Sequence, residues 1–122
     1  MFTETEKILA DFFVRNKIKY EYEPLMKFGS KTYFPDFLVN GSIILERCGF
    51  VSRDYFCTLQ DKLIAYRRNN KKIMLIFPRR FKNALFKNVK IPSSVICLIE
   101  DKSLSELTDY IIEFMGLSSS LV

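Results

Sequence analysis

The chain has 122 residues, 48% of them apolar and 27% charged, with a formal net charge of +5; this is the size of one domain and the composition of a globular one, not a disordered one. It contains no His, which excludes His-based triads, His zinc sites and His-dependent ribonuclease chemistry, and its three Cys (Cys48, Cys57, Cys97) are odd in number and lack CxxC spacing, against a metal cluster and against a disulfide framework. No apolar run approaches the roughly 20 residues of a membrane helix, and the start MFTETEKILADFF carries early acids instead of a basic n-region, so a cytoplasmic protein without a signal peptide or membrane contact is expected.

Residues 3–16 read as a helix: Thr3 or Thr5 can cap it, Glu4 and Glu6 suit its positive end, and Ile8, Leu9, Phe12 and Phe13 recur at helical spacing. Lys19 to Glu23 alternates and stops at Pro24, as a short strand does. Two apolar runs, 33–39 and 42–48, flank Asn40-Gly41, a pair that tolerates positive φ and so predicts a hairpin. Residues 53–69 form a helix capped by Ser52, with Tyr55, Leu59, Leu63 and Tyr66 as its buried stripe. KIMLIF (72–77) is a strand without alternation, covered on both faces. A short basic helix over 79–86, a buried strand over 94–99 and a last helix over 103–115, with Ser103 and Glu106 as a capping box, complete the order α-β-β-β-α-β-(α)-β-α. The pattern is α/β, a mixed central sheet flanked by helices. One domain is expected over residues 1–116, followed by a frayed tail over 117–122.

The charge is unevenly laid out. Positions 62–99 hold ten basic residues and no acidic one, whereas 1–61 hold eight basic and nine acidic. Arg67, Arg68, Lys71, Lys72, Arg79, Arg80 and Lys82 fall in the basic stretch, a candidate footprint for a nucleic acid backbone or else a solvated face.

Asp36 and Glu46 are the residues with chemistry to explain. Glu46 sits in an apolar run, and burying an unpaired carboxylate costs several kcal/mol or forces it to take a proton. Two carboxylates on neighbouring strands can offset that cost by holding one Mg²⁺ through oxygen. The blander readings are Asp36 as a turn cap beside Pro35 and Glu46 in an inert salt bridge with Arg47 or Lys62. A two-residue Asn40-Gly41 loop would send the two carboxylates to opposite faces of the sheet, because side chains alternate along a strand. A shared site therefore requires an odd shift of register, by a three-residue loop or a bulge.

These residues resemble a known family. Pro35-Asp36, Glu46 in an apolar strand, and then a helix and a buried strand are similar to the PD-(D/E)xK nuclease superfamily, to which restriction endonucleases, archaeal Holliday-junction resolvases and very-short-patch repair endonucleases belong. The resemblance covers about residues 3–80. TETEKILADFFVRNKIKYEYEP resembles the leading helix and first strand, YFPDFLVNGSIILERCGF the catalytic hairpin, and YFCTLQDKLIAYRRNNKKIMLIFP the following helix and core strand. One position departs: the motif places Lys two residues after the Glu, and Cys48 stands there. LERCGF is similar to branches in which that Lys has moved to the next helix, with Gly49 matching.

The resemblance implies a restriction-endonuclease-like fold and a Mg²⁺-dependent endonuclease, with Mn²⁺ able to substitute. It would act on DNA, with RNA left open, and be structure- or end-specific in the manner of DNA repair enzymes. Asp36, Glu46 and the backbone carbonyl of Arg47 would hold the metal, with Glu6 binding it directly or through water. Lys62, at the edge of the helix's buried stripe, is the best substitute for the motif Lys, and Gln60 is the other polar candidate in that helix. A homodimer is expected if both strands are cut. The missing strand Lys supports a rival: a nuclease-like DNA-binding or protein-interaction subunit without catalysis.

Overall fold

Thr3 starts the first helix with a capping box: its hydroxyl accepts from the Glu6 amide, and the Glu6 carboxylate accepts from the Thr3 amide. This satisfies polar groups that a helix start leaves open. The structure, a computed structural model, describes residues 3–100 and 104–114. Helix α1 (Glu4–Arg15) turns Leu9, Ala10, Phe12 and Phe13 inward. Strand β1 (Tyr20–Tyr22) follows, then a small separate hairpin of β2 (Met26–Phe28) and β3 (Lys31–Tyr33). Next come β4 (Phe37–Val39), β5 (Ile43–Arg47), α2 (Arg53–Arg68), β6 (Lys72–Phe77), a 3₁₀ turn (Arg79–Phe81), α3 (Lys82–Asn88), β7 (Ile96–Ile99) and α4 (Leu104–Phe114).

Five strands make one mixed sheet in the order β1-β4-β5-β6-β7. The pairs β1–β4 and β4–β5 are antiparallel, and β5–β6 and β6–β7 are parallel. Helices cover both faces, as the alternation of elements predicted. One core holds Leu9, Phe12, Phe13, Phe37, Leu45, Met74, Ile76 and Ile111, and so lies under α1 and α4. The other holds Leu38, Ile44, Phe56, Leu59, Leu63, Tyr66, Ile73, Leu75 and Leu85, under α2 and α3. The interior strand β6 feeds Met74 and Ile76 to the first core and Ile73, Leu75 and Phe77 to the second, which is why KIMLIF shows no alternation. Truncating Ile44 or Leu75 to Ala would cost roughly 2–5 kcal/mol.

Several expectations need correction. The run 33–39 is not one strand: Tyr33 ends β3, Phe37 begins β4, and Pro35, which has no N–H to donate to a ladder, lies in the break. The β2–β3 hairpin, closed by Gly29 at φ +68°, is absent from the expected order; its strands are only three residues each, and Met26, Phe28 and Tyr33 pack half-buried against the core under α2. Strand β7 is the sheet's edge, not a buried strand, and its Ile96 is exposed. On α2, Phe56 is buried where Tyr55 was expected, and Tyr55 is half-buried. The Ser103 cap and the 117–122 tail lie outside the described residues. Among the described residues, no helix is long and apolar enough to cross a membrane.

Candidate active site

The β4–β5 turn decides whether Asp36 and Glu46 can act together. Asn40 and Gly41 both take positive φ, +53° and +71°, and the Ser42 N–H donates to the Val39 carbonyl at 3.1 Å. The ladder then pairs Val39 with Ile43, Leu38 with Ile44 and Phe37 with Leu45. Ser42 is thus the extra residue, and the shift is the odd one a shared site requires. Continued by one step, this register sets Asp36 across from Glu46. Leu38, Ile44 and Cys48 belong to the core under α2, so alternation turns both carboxylates to the α2 side.

Helix α2 meets them with two side chains one turn apart. Lys62 Nζ lies 3.4 Å from Glu46 Oε2, and the Tyr66 hydroxyl donates to Glu46 Oε1 at 3.3 Å. Glu46 is 3% exposed, whereas the Lys62 side chain is 25% exposed and Asp36 is half-buried, so the site opens to solvent through them. Burial pushes the Glu46 carboxyl up to about 7, with the Lys62 charge pulling the other way and Asp36 adding to the rise. Asp36 is also raised, first by burial; the Arg47 amide opposes this and the Glu6 charge adds to it.

Arg47 serves the site with its backbone. Its N–H donates to Asp36 Oδ2 at 2.6 Å. The next amide, Cys48 N–H, points to Ile76 on β6, and every described peptide bond is trans. The Arg47 carbonyl therefore faces away from β6, toward the side where Asp36 lies. Its guanidinium sits on the other face of the sheet, with Nε 2.7 Å and Nη2 2.8 Å from the two Glu100 oxygens. The Thr5 hydroxyl donates to the same carboxylate at 3.1 Å.

The remaining candidates separate. Glu6 is buried, and one of its oxygens is engaged in the α1 cap, while its charge is felt at Asp36. Gln60 is not brought to the carboxylates: its amide donates to the Lys90 carbonyl and accepts from the Lys90 N–H, which ties α2 to the segment after α3. Cys48 is buried on the α2 side, its thiol pushed up to about 12 by burial, with the Tyr55 hydroxyl bonded to it. A neutral thiol there supplies no positive charge beside Glu46.

The basic stretch is also not one patch. Arg67, Arg68, Lys71 and Lys72 gather where β6 begins, and the Lys71 ammonium donates to the Gly41 carbonyl of the hairpin turn. Arg79, Arg80 and Lys82 lie past the other end of β6. The length of β6, about 20 Å, separates the two groups. Glu46 pairs with Leu75 and Arg47 with Ile76, which puts the carboxylates toward the Arg79–Lys82 end. There the Arg80 guanidinium rests 4.6 Å from the Phe81 ring centroid.

Tyr66, Thr5 and Glu100 were not foreseen as polar partners of the site. Tyr66 carried a signal, because it stands four residues after Lys62 and so shares its face. Thr5 and Glu100 are 95 positions apart, and no local pattern joins them. The donor set fits a hard divalent cation: two carboxylates and a carbonyl, all oxygen, with the buried carboxylate, Glu46, paired to one lysine. No group of three His, Cys, Asp or Glu side chains gathers among the described residues, so water would complete the shell, as is usual for Mg²⁺. No family model, no curated protein and no solved structure matches this chain.

Proposed function

We propose that this protein is a metal-dependent nuclease of restriction-endonuclease-like architecture that hydrolyses DNA phosphodiesters in the cytoplasm. The observation that carries the reading is the register of β4 against β5, which turns Asp36 and Glu46 to one face and under Lys62. Asp36, Glu46 and the Arg47 carbonyl would hold Mg²⁺ or Mn²⁺. When bound, the ion lowers the pKa of water and screens charge on the phosphate. Lys62 presents a partly desolvated ammonium at the mouth of the site, where it can orient the attacking water and stabilise the negative charge that grows on the phosphoryl oxygens. Tyr66 and Lys62 hold the two Glu46 oxygens in place, so the carboxylate need not reorganise during the reaction. Arg79 and Arg80 can take the flanking phosphates, which carry no sequence information; the expected recognition is of structure or of ends, and cutting both strands would call for two copies.

Incubation with branched, single-stranded and double-stranded DNA, and with RNA, in Mg²⁺, Mn²⁺ or EDTA tests this. Metal-dependent cleavage that disappears in Asp36→Asn and Glu46→Gln is expected. Buried, neutral Cys48 at the motif Lys position favours a second reading, a binding subunit without catalysis. DNA binding without cleavage under every condition would make that the better account.

A further inference from the structure

Two exposed phenylalanines stand at the ends of the segments that carry the site. Phe34, two residues before Asp36, is 55% exposed, and Phe50, four residues after Glu46, is 70% exposed. Leu25 and Val51 beside them are exposed as well. The β2–β3 register pairs Met26 with Tyr33, so Leu25 stands across from Phe34. Single exposed apolar residues are ordinary on a protein surface. Here, however, four of the nine large apolar side chains exposed among the described residues flank the two site strands. Phe50 is also backed: its ring centroid is 6.0 Å from that of Tyr55, which in turn lies 6.5 Å from Phe56, a core residue. One side of the Phe50 ring is thus supported while most of its surface meets water.

Cations accompany these rings. Arg53, exposed, opens α2 three residues after Phe50, and exposed Arg79 and Arg80 lie at the same end of the sheet as Glu46. Aromatic rings beside cations are the chemistry that binds unpaired nucleic acid: bases stack on the rings and phosphates follow the positive charge. An intact duplex keeps its base faces inside its own stack and cannot use such rings.

Resting on the nuclease reading above, we propose that the site takes nucleic acid whose bases are unpaired beside the phosphate to be cut, with Phe34 and Phe50 as the stacking platforms for those bases. The substrates are then single strands, flaps or branch points, not continuous duplex.

The test uses the full chain with Ca²⁺ in place of Mg²⁺ to prevent turnover. A single-stranded oligonucleotide and a matched duplex, each with a 2-aminopurine reporter base, are titrated with wild type, Phe34→Ala/Phe50→Ala and Phe34→Tyr/Phe50→Tyr. Stacking predicts a reporter fluorescence change in the wild-type single-strand complex. It predicts single-strand binding about tenfold weaker per ring removed, duplex binding within twofold, and recovery in the Tyr variant. Equal losses on both substrates, or no loss, would overturn the proposal. So would a loss accompanied by a change in oligomeric state on gel filtration, which would assign the rings to a protein interface. Cleavage with Mg²⁺ is read in parallel: stacking without cleavage refutes only the nuclease reading, and cleavage without stacking refutes only this one.

Discussion

Arg47 gives its amide to Asp36 Oδ2 at 2.6 Å while its guanidinium forms a two-point pair with Glu100 on the opposite face of the sheet. One residue thereby links the candidate site to the start of α1 and the end of β7, since Thr5 holds the same carboxylate. The pair is partly exposed, so its contribution to stability is about 1 kcal/mol. Its larger effect is on position, because it fixes the backbone that in turn fixes Asp36.

Glu100→Ala should accordingly leave the protein folded, with a small loss of stability by chemical denaturation. Cleavage should fall about tenfold through kcat with KM nearly unchanged, because a misplaced carboxylate harms the reaction more than substrate binding. A change confined to KM would argue that Arg47 and Glu100 act in substrate binding and not in positioning.

Glu46 makes stability depend on pH. Its carboxyl rises from an ordinary value of 4.5 to about 7 on burial, so the folded state keeps a proton that the unfolded state releases between those values. Stability contributed by the neutral form is complete below the unfolded value and is lost as pH rises toward 7, by at most about 1.4 kcal/mol per unit. In EDTA, wild type should lose thermal stability relative to Glu46→Gln across this window. Mg²⁺ should restore stability in wild type above pH 7 and do little in the variant. Parallel melting curves for the two proteins at all pH values would refute the assignment.

The separation of the two basic groups predicts that they are not equivalent. Reversing Arg79 and Arg80 to Glu should weaken DNA binding about equally for all sequences and reduce the salt slope by about two. Reversing Arg67 and Arg68, in the last turn of α2 and near the other end of β6, should weaken binding much less. Binding measured against salt concentration for both variants decides this; no change in either would make the whole stretch a solvated face.

Much of this was legible in the sequence because it is local. Thr3 and Glu6, Ser52, the apolar spacing of α1 and α2, and the doubly covered run 72–77 each declare themselves within a few residues. The carboxylate pair could be named because Glu46 is an acid inside an apolar run, and Lys62 because it lies at the edge of the α2 stripe and substitutes for the Lys that the family resemblance implies. The register could be framed only as a condition: Asn40-Gly41 is compatible with two loop lengths, and the choice depends on how Ile43 and Val39 pack under α1. The side that Gln60 faces was not legible, because helix position alone does not tell which neighbour takes a polar residue at the edge of the stripe; its amide bonds Lys90. The division of the charge stretch was hidden for a related reason: a strand carries neighbours in sequence to opposite ends of the sheet.

The sharpest contrast is between Lys62 and Cys48. Both lie near Glu46 on the α2 side, but only Lys62 brings positive charge, 3.4 Å from Oε2. The Cys48 thiol stays protonated because burial raises it to about 12, so it can neither neutralise a phosphate nor activate water. Lys62→Ala should leave the fold and Mg²⁺ binding intact, since the Lys62 side chain is partly exposed and is not one of the proposed metal ligands. Cleavage should drop by about a hundredfold or more, the usual effect of removing a preorganised charge from a developing one. Cys48→Ala should cleave nearly as wild type, with a modest stability loss from the vacated core volume. Single-turnover rates for both variants, with circular dichroism to verify folding, separate the outcomes: an inactive Cys48→Ala beside an active Lys62→Ala would refute the assignment of the cation to the helix.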